Sequence, residues 1–318
     1  MSSSATHRPG PVAVTGAGGF IGVRLLAALE RRGIITTALL GPEGAAFAEP
    51  PAGTRSWCGD ITDPTVVAQV VQGATTVVHL AGPASVAASF AQPVEWVSTH
   101  VVGTATLCEA AKLAGVTKVV LVSSAEVYGP VSGRVDEARP PAPRSPYGAA
   151  KVGAEAVVSA AVRRGDLQAV IVRPFSVYGP GVAAWSLIGT LADQAARGGP
   201  VRVRDPRPVR DLVHVDDVAA ALVACVEHQP PEGEPSCFNL CSGVGHSVGE
   251  LAELMARCAG VPVDHRPVPP DRSAGADIFE LIGDPTRARL ELGWCSTTEL
   301  ADGLSSLVAA SQERTGVG

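Results

Sequence analysis

The sequence predicts an α/β protein built on a doubly wound parallel sheet, with a smaller C-terminal lobe. Three observations predict it. A short apolar run, residues 12–15, breaks into a turn with Gly16, Gly19 and Gly22 spaced G-x-x-G-x-x-G, and an apolar helical stretch, 23–32, follows directly. Apolar runs and helical patterns then alternate through the first half of the chain, as repeated βα units do. Beyond Arg173 the alternation weakens, and Pro and Gly cluster at 179–181, 198–208 and 229–235.

Strand, glycine turn and helix in that order form the context of a dinucleotide-binding turn. Glycines let the backbone turn tightly and approach a pyrophosphate with no Cβ in the way. The helix that follows aims its free N–H groups and positive dipole end at the phosphates.

Further strands are expected at 34–40, 75–81, 118–123 and 169–173, with helices at 64–72, 93–115 and 147–164 between them. Returns to the sheet are expected near 212–215 and 237–240. This divides the chain into a disordered tail (1–10), a dinucleotide-binding domain (11–174, with returns near 211–228 and 237–241) and a substrate-binding lobe (175–210 and 242–318). Ligands of such sheets bind at the carboxyl ends of the strands.

Composition sets limits. With 318 residues, 46% of them hydrophobic, the chain can bury a large core. Net charge is −6 and no basic run stands out, which speaks against a nucleic-acid partner. The seven cysteines are scattered, and Cys237 and Cys241 lack the second pair of a zinc site, so no metal is expected. They read as reduced thiols of a cytoplasmic protein. The Ser-rich start lacks the apolar core of a signal peptide. No apolar run reaches the roughly 20 residues of a membrane span.

Polar residues close several strands. Asp60, in Gly59-Asp60-Ile61, is placed either to hydrogen-bond an adenine amino group or to cap the following helix. His79 is either a buried, satisfied histidine or a site residue, and the small residues after it, Leu80-Ala81-Gly82, allow close approach of a ligand. The chemistry is expected at Ser123-Ser124-Ala125-Glu126 and at Tyr147-Gly148-Ala149-Ala150-Lys151. Tyr147 and Lys151, four apart, share one helix face, and Lys151 is one of three lysines in the chain. A phenol ordinarily ionises near pH 10, and a neighbouring ammonium lowers that value. Tyr147 then serves as a general acid or base while Ser124 holds a substrate oxygen against it and a nicotinamide exchanges hydride.

Taken together, these motifs resemble the extended short-chain dehydrogenase/reductase family, the nucleotide-sugar epimerases, dehydratases and reductases with a Rossmann-type sheet. The resemblance runs from Val12 to Trp294 and includes Val127-Tyr128-Gly129, Arg173-Pro174, Val177-Tyr178-Gly179-Pro180-Gly181, Arg210-Asp211, His214-Val215-Asp216-Asp217 and Leu292-Gly293-Trp294. It implies Tyr147 as acid/base with Lys151, Ser124 and Glu126 beside it. It implies a cofactor site of Gly16, Gly19, Phe20, Ile21, Gly22, Asp60, Ile61, Leu80, Ala81, Gly82, Ser123, Tyr147, Lys151 and Pro174. Ser124, Glu126, Ser176, Arg210 and Arg272 would meet the substrate, the arginines because a guanidinium binds phosphate with two bonds. It also implies a homodimer formed through helices 93–115 and 147–164.

The departures from the family pattern are informative. An acidic residue usually ends the second strand and holds the adenosine ribose, but the corresponding position is about Leu40, and no Asp or Glu lies between Ile34 and Pro42. An acid there would repel a 2′-phosphate, so its absence favours NADP(H), with NAD(H) still allowed, and Arg24 or Arg55 is the candidate partner of that phosphate. His100 stands where the family commonly has Asn; a neutral imidazole could replace it, whereas a charged one would compete with Lys151. Ser176 stands where many members have Asn. Ala125 replaces the aspartate of glucose-nucleotide dehydratases, although Glu126 matches their glutamate. The expected activity is therefore NADPH-dependent reduction of a nucleotide-linked 4-keto-6-deoxyhexose. A 4-epimerase with tightly bound NAD is the alternative, as is a dehydratase or decarboxylase that uses Glu126.

Overall fold

The computed structural model describes residues 9–44, 49–264 and 278–316. Its centre is a seven-stranded, all-parallel sheet. The first half of the chain supplies β1 (Val12–Thr15), β2 (Thr36–Leu40), β3 (Arg55–Cys58), β4 (Thr76–His79) and β5 (Lys118–Val122). Pairing runs β3-β2-β1-β4-β5 and then to β7 (Gln168–Pro174) and β11 (Ser236–Leu240). The order reverses beside β1, which pairs with β2 on one side and β4 on the other. That reversal opens a crevice at the carboxyl ends of the strands.

Helices cover both faces, so the strands are apolar almost throughout. Val12 and Val14 point to the face packed by Leu25 and Leu29 of α1 (Phe20–Arg31) and Leu222 of α8 (Val215–Glu227). Ala13 and Val77 point to the other face, against Val67 of α2 (Pro64–Val71), Leu107 of α5 (Gly103–Leu113) and Val158 of α6 (Pro146–Arg163). The long helix expected at 93–115 is continuous from Pro93 to Leu113, but it changes pitch on the way. Between α4 (Pro93–Val97) and α5, residues Ser98–Val102 form one π-helical turn that carries His100. The start of α6 is set locally: Ser145 Oγ accepts the Gly148 N–H at 3.0 Å, and Pro146 occupies the first turn.

A second sheet follows the order β12 (Gly245–Ser247), β10 (Val209–His214), β14 (Glu280–Gly283), β6 (Arg134–Val135), with β8 (Ser176–Tyr178) also on β10. The expected return of 212–215 to the main sheet is therefore not seen. β10 belongs to the second sheet, and the segment regains the first layer only through α8, which packs on α1. The other return, at 237–240, is β11. Leu191 of α7 (Leu187–Ala196), Leu251 and Met255 of α9 (Val248–Ala259) and Leu304 and Leu307 of α11 (Leu300–Thr315) build a separate apolar core.

Two buried carboxylates tie loops to this framework. Asp211 accepts the N–H groups of Ser242, Gly243 and Gly283. Asp217 accepts those of Thr297 and Thr298, while its backbone oxygen takes the Trp294 indole N–H. Among the described residues, no helix is long and apolar enough to cross a membrane.

Candidate active site

A cleft of about 580 Å³ lies between the carboxyl ends of the main sheet and the second sheet. The glycine turn forms one end of it. Gly16 has φ +68°, and a Cβ there would stand 2.7 Å from the Ala81 nitrogen, so the ends of β1 and β4 meet only because this residue is bare. A Cβ on Gly22 would come 2.4 Å from the Gly16 carbonyl oxygen. No side chain caps α1 at Gly19, so its first N–H groups are left for a ligand. Phe20 and Ile21 line the cleft, as do Leu80, Gly82, Ser123 and Pro174. A bare turn, an uncapped helix start and an open cleft beyond them fit the diphosphate and nicotinamide of a dinucleotide.

Not every expected cofactor residue points the same way. Asp60 Oδ1 accepts both the N–H and the hydroxyl of Thr62, closing a local turn. It does not cap α2. That role falls to Asp63, which accepts the Thr65 N–H at 2.8 Å. Ile61 is buried, and a Cβ on Gly103 would press on its side chain. Leu40 is buried at the end of β2, in register with Cys58. Neither arginine proposed for a 2′-phosphate is waiting for one. Arg24 donates to the Pro180 carbonyl at 3.2 Å and lies 3.8 Å from Asp216, while Arg55 is stacked over the Trp57 ring.

α6 delivers Tyr147 and Lys151 to the cleft wall, both buried. Lys151 Nζ donates to the Val122 carbonyl at 2.8 Å, which fixes the ammonium beside the end of β5. Burial pulls its pKa down to about 8, against the pull of Glu155 one turn on. The Ser124 hydroxyl stands by the Tyr147 phenol and favours its ionised form. The expectation that the lysine lowers the phenol's pKa is not met in the free protein. Burial dominates and pushes Tyr147 up to about 12, with the nearby Glu126 adding to the rise. Glu126 is itself raised by burial and partly lowered by Arg210 across the cleft. Ser176 and Arg210 also line the cleft, and Arg210 Nη1 donates to the Val209 carbonyl. Arg272 lies outside the described residues.

Behind these groups run two networks that the motifs do not reveal. Ser123 donates its hydroxyl to Glu155 Oε1, and Glu155 is bound by Arg173. The second network passes through His79. The Thr104 hydroxyl donates to the His100 carbonyl, so Thr104 Oγ1 accepts from His79 Nε2 at 3.1 Å. His79 Nδ1 must then accept the Thr15 hydroxyl, at 2.7 Å, and Thr15 Oγ1 receives the Ala81 N–H. His79 is thus the satisfied buried histidine of the two readings, held neutral by burial with a pKa of about 3. His100 is also neutral, at about 2, through burial and the charge of Lys151, so it does not compete with that lysine.

Residues 12–241 match the model of the NAD dependent epimerase/dehydratase family. The chain is 34% identical over 307 residues to a UDP-glucose 4-epimerase of Mycolicibacterium smegmatis, covering 93% of this chain and 96% of the other. It is 32% identical over 308 residues to the low-salt glycan biosynthesis protein Agl12 of Haloferax volcanii, covering 93% and 97%. Among solved structures it is similar to MoeE5 in complex with UDP-glucuronic acid and NAD, with 31% identity, a TM-score of 0.86 and coverage of 96% and 100%. It is similar also to TunA, an NAD-dependent NDP-hexosamine 5,6-dehydratase, with 28% identity, a TM-score of 0.84 and coverage of 96% and 98%.

Proposed function

Because this chain belongs to the NAD-dependent epimerase/dehydratase family, we propose that it is an NAD-dependent enzyme of the epimerase or dehydratase type acting on a nucleotide sugar. The observation that carries this reading is the convergence of Ser124, Glu126, Tyr147 and Lys151 on one cleft that also receives the uncapped start of α1. The names of the relatives support it over an NADPH-dependent 4-keto reductase. So does the engagement of Arg24 and Arg55 elsewhere, which leaves neither poised for a 2′-phosphate.

A bound NAD would take up and return hydride at its nicotinamide. The protein's part is proton handling and placement. Ser124 holds the reacting sugar hydroxyl against the Tyr147 oxygen, the Tyr147 phenolate takes that proton and later gives it back, and the Lys151 charge supports the phenolate before the first event and after the second. A cationic nicotinamide ring would add a second positive charge near Tyr147, opposing the rise that burial causes. Arg210 faces the cleft where a diphosphate would lie. Glu126 carries the second reading. A carboxyl raised by burial, one residue from Ala125, is placed to exchange a proton with a neighbouring sugar carbon or hydroxyl, as a dehydratase requires. A homodimer through the 93–113 helix and α6 is part of the proposal, supported by the exposed Val94, Val97, Val102 and Leu113.

The test is to denature the purified protein and identify the nucleotide it releases, then to supply UDP-glucose and UDP-glucuronic acid. Stoichiometric NAD and a 4-epimer product, or a dehydrated product that disappears in Glu126→Gln, is expected. An empty protein that binds NADPH more tightly than NADH and reduces a keto-sugar nucleotide would overturn the reading.

A further inference from the structure

His100 sits at the one place where the long helix changes pitch. A π turn carries one residue more than an α turn and so re-aims its side chains, and such turns often mark functional sites. Here it sends the His100 ring inward, 2% exposed, onto the Tyr147 ring. The two ring centres are 5.6 Å apart with planes at 69°, an edge-to-face contact. His100 Nε2 lies 3.0 Å from the Pro83 carbonyl oxygen. A carbonyl only accepts, so Nε2 carries the hydrogen. The bond joins the helix to the 82–83 turn, which is itself cleft wall. Gly82 completes the fit. It has φ +130°, and a Cβ there would lie 2.3 Å from His100 Cε1. The imidazole therefore fills the space a side chain at 82 would need. Trp96 and Ala150 pack with Tyr147 on the side away from the cleft opening.

We propose that His100 is a positioning residue for Tyr147: its ring edge fixes the phenol and keeps water from it, and its bond to Pro83 holds the adjoining cleft wall. The proposal rests on Tyr147 as the acid/base. Ser124, Glu126 and Lys151 also face Tyr147, and they set its charge environment. His100 sets its place and its dryness.

The experiment compares wild type with His100→Ala, His100→Asn and His100→Phe by tetranitromethane nitration at pH 8, each tyrosine being followed by peptide mass spectrometry. Tyr128 and Tyr178, at 0% and 1% exposure, are internal controls for unfolding. Nitration of Tyr147 is expected to be at least tenfold faster in the Ala and Asn variants, with the controls unchanged, and to return to the wild-type rate in His100→Phe, which restores a ring. Unchanged nitration in Ala and Asn, or a Phe variant as reactive as Ala, overturns the proposal. Should Ala also expose the control tyrosines, Asn decides in the same way. With the substrate that wild type turns over, kcat is expected to fall about tenfold in Ala and Asn at unchanged KM and to recover in part in Phe, which restores the ring but not the bond to Pro83. If wild type turns over none, the functional reading fails while nitration still decides the role of His100.

Discussion

Glu155 and Arg173 face each other as a buried, two-pronged ion pair next to the Ser123–Ser124 turn. Arg173 Nη2 lies 2.7 Å from Glu155 Oε2, and Nε lies 3.0 Å from Oε1. Ser123 donates to that same Oε1. Arg173 Nη1 donates to the Tyr128 hydroxyl, which donates to Asn239 Oδ1. The pair thus joins α6, β7, the 125–128 turn and β11. Removing one partner leaves the other charge buried and unmatched. Arg173→Met or Glu155→Met is expected to cost about 3–5 kcal/mol in urea unfolding, with the double variant Arg173→Met/Glu155→Met losing less than the sum.

Tyr147→Phe removes the proton donor and acceptor but keeps the ring. Turnover should fall on the order of 10² to 10⁴-fold, while NAD binding, followed by fluorescence or calorimetry, stays within about twofold of wild type. Activity that survives this change would remove Tyr147 from the mechanism.

Lys151 should trade stability for function. Its pKa of about 8 in the fold lies below the ordinary lysine value of 10.5, so the unfolded chain binds the proton more tightly. The cost of burying the charge is complete below pH 8 and fades as pH rises toward 10.5. Lys151→Met is therefore expected to be inactive yet more stable than wild type at pH 7, by roughly 2–3 kcal/mol. Wild-type activity should decline on the alkaline side as the ammonium loses its proton. A Met variant less stable than wild type would contradict this account.

The two neutral histidines set the acid limit. His79 and His100 titrate at about 3 and about 2 in the fold, against 6.5 when unfolded. Between those values the unfolded state takes up protons that the folded state refuses, so stability is full above pH 6.5 and is lost as pH falls. At pH 4.5 each should account for about 2–3 kcal/mol. The slope of unfolding free energy against pH should be shallower in His100→Asn than in wild type between pH 6 and 4.

Leu40 ends β2, at the position where the family resemblance puts the carboxylate that meets the ribose hydroxyls of NAD. Leu40→Asp is expected to tighten NAD binding on the order of tenfold and to weaken NADP binding by at least as much. Equal effects on both cofactors would mean that the adenosine ribose lies elsewhere.

The legible part of this molecule is the part written in short spacings. Gly16, Gly19 and Gly22 announce a turn because each must be bare, and Tyr147 and Lys151 announce a helix face because they are four apart. The parallel, doubly wound character of the main sheet follows from alternation alone. What stayed hidden depends on contacts between distant segments. Glu155 looks like any charge on a helix until Arg173 and Ser123 are seen to close on it. Nothing in 98–102 signals a π turn, since its hydrogen bonds differ from those of an α turn by one residue. The sheet that β10 joins is not legible, because a short apolar pair, Leu212-Val213, suits either sheet. The pKa of Tyr147 is not legible from spacing, because burial outweighs a neighbouring lysine in the free protein.

The fit of Gly82 against the His100 imidazole makes the space at one position depend on the residue at the other. A side chain cannot enter at 82 while the ring is present, and losing the ring first leaves a void beside Tyr147. At φ +130° a side chain at 82 would be strained even without the ring, so the glycine is held by its backbone as well as by its neighbour. A chimera that brings in a foreign 93–113 helix must bring its own 82–83 turn with it, although the two are separated in the chain by α3 (Val86–Ala91).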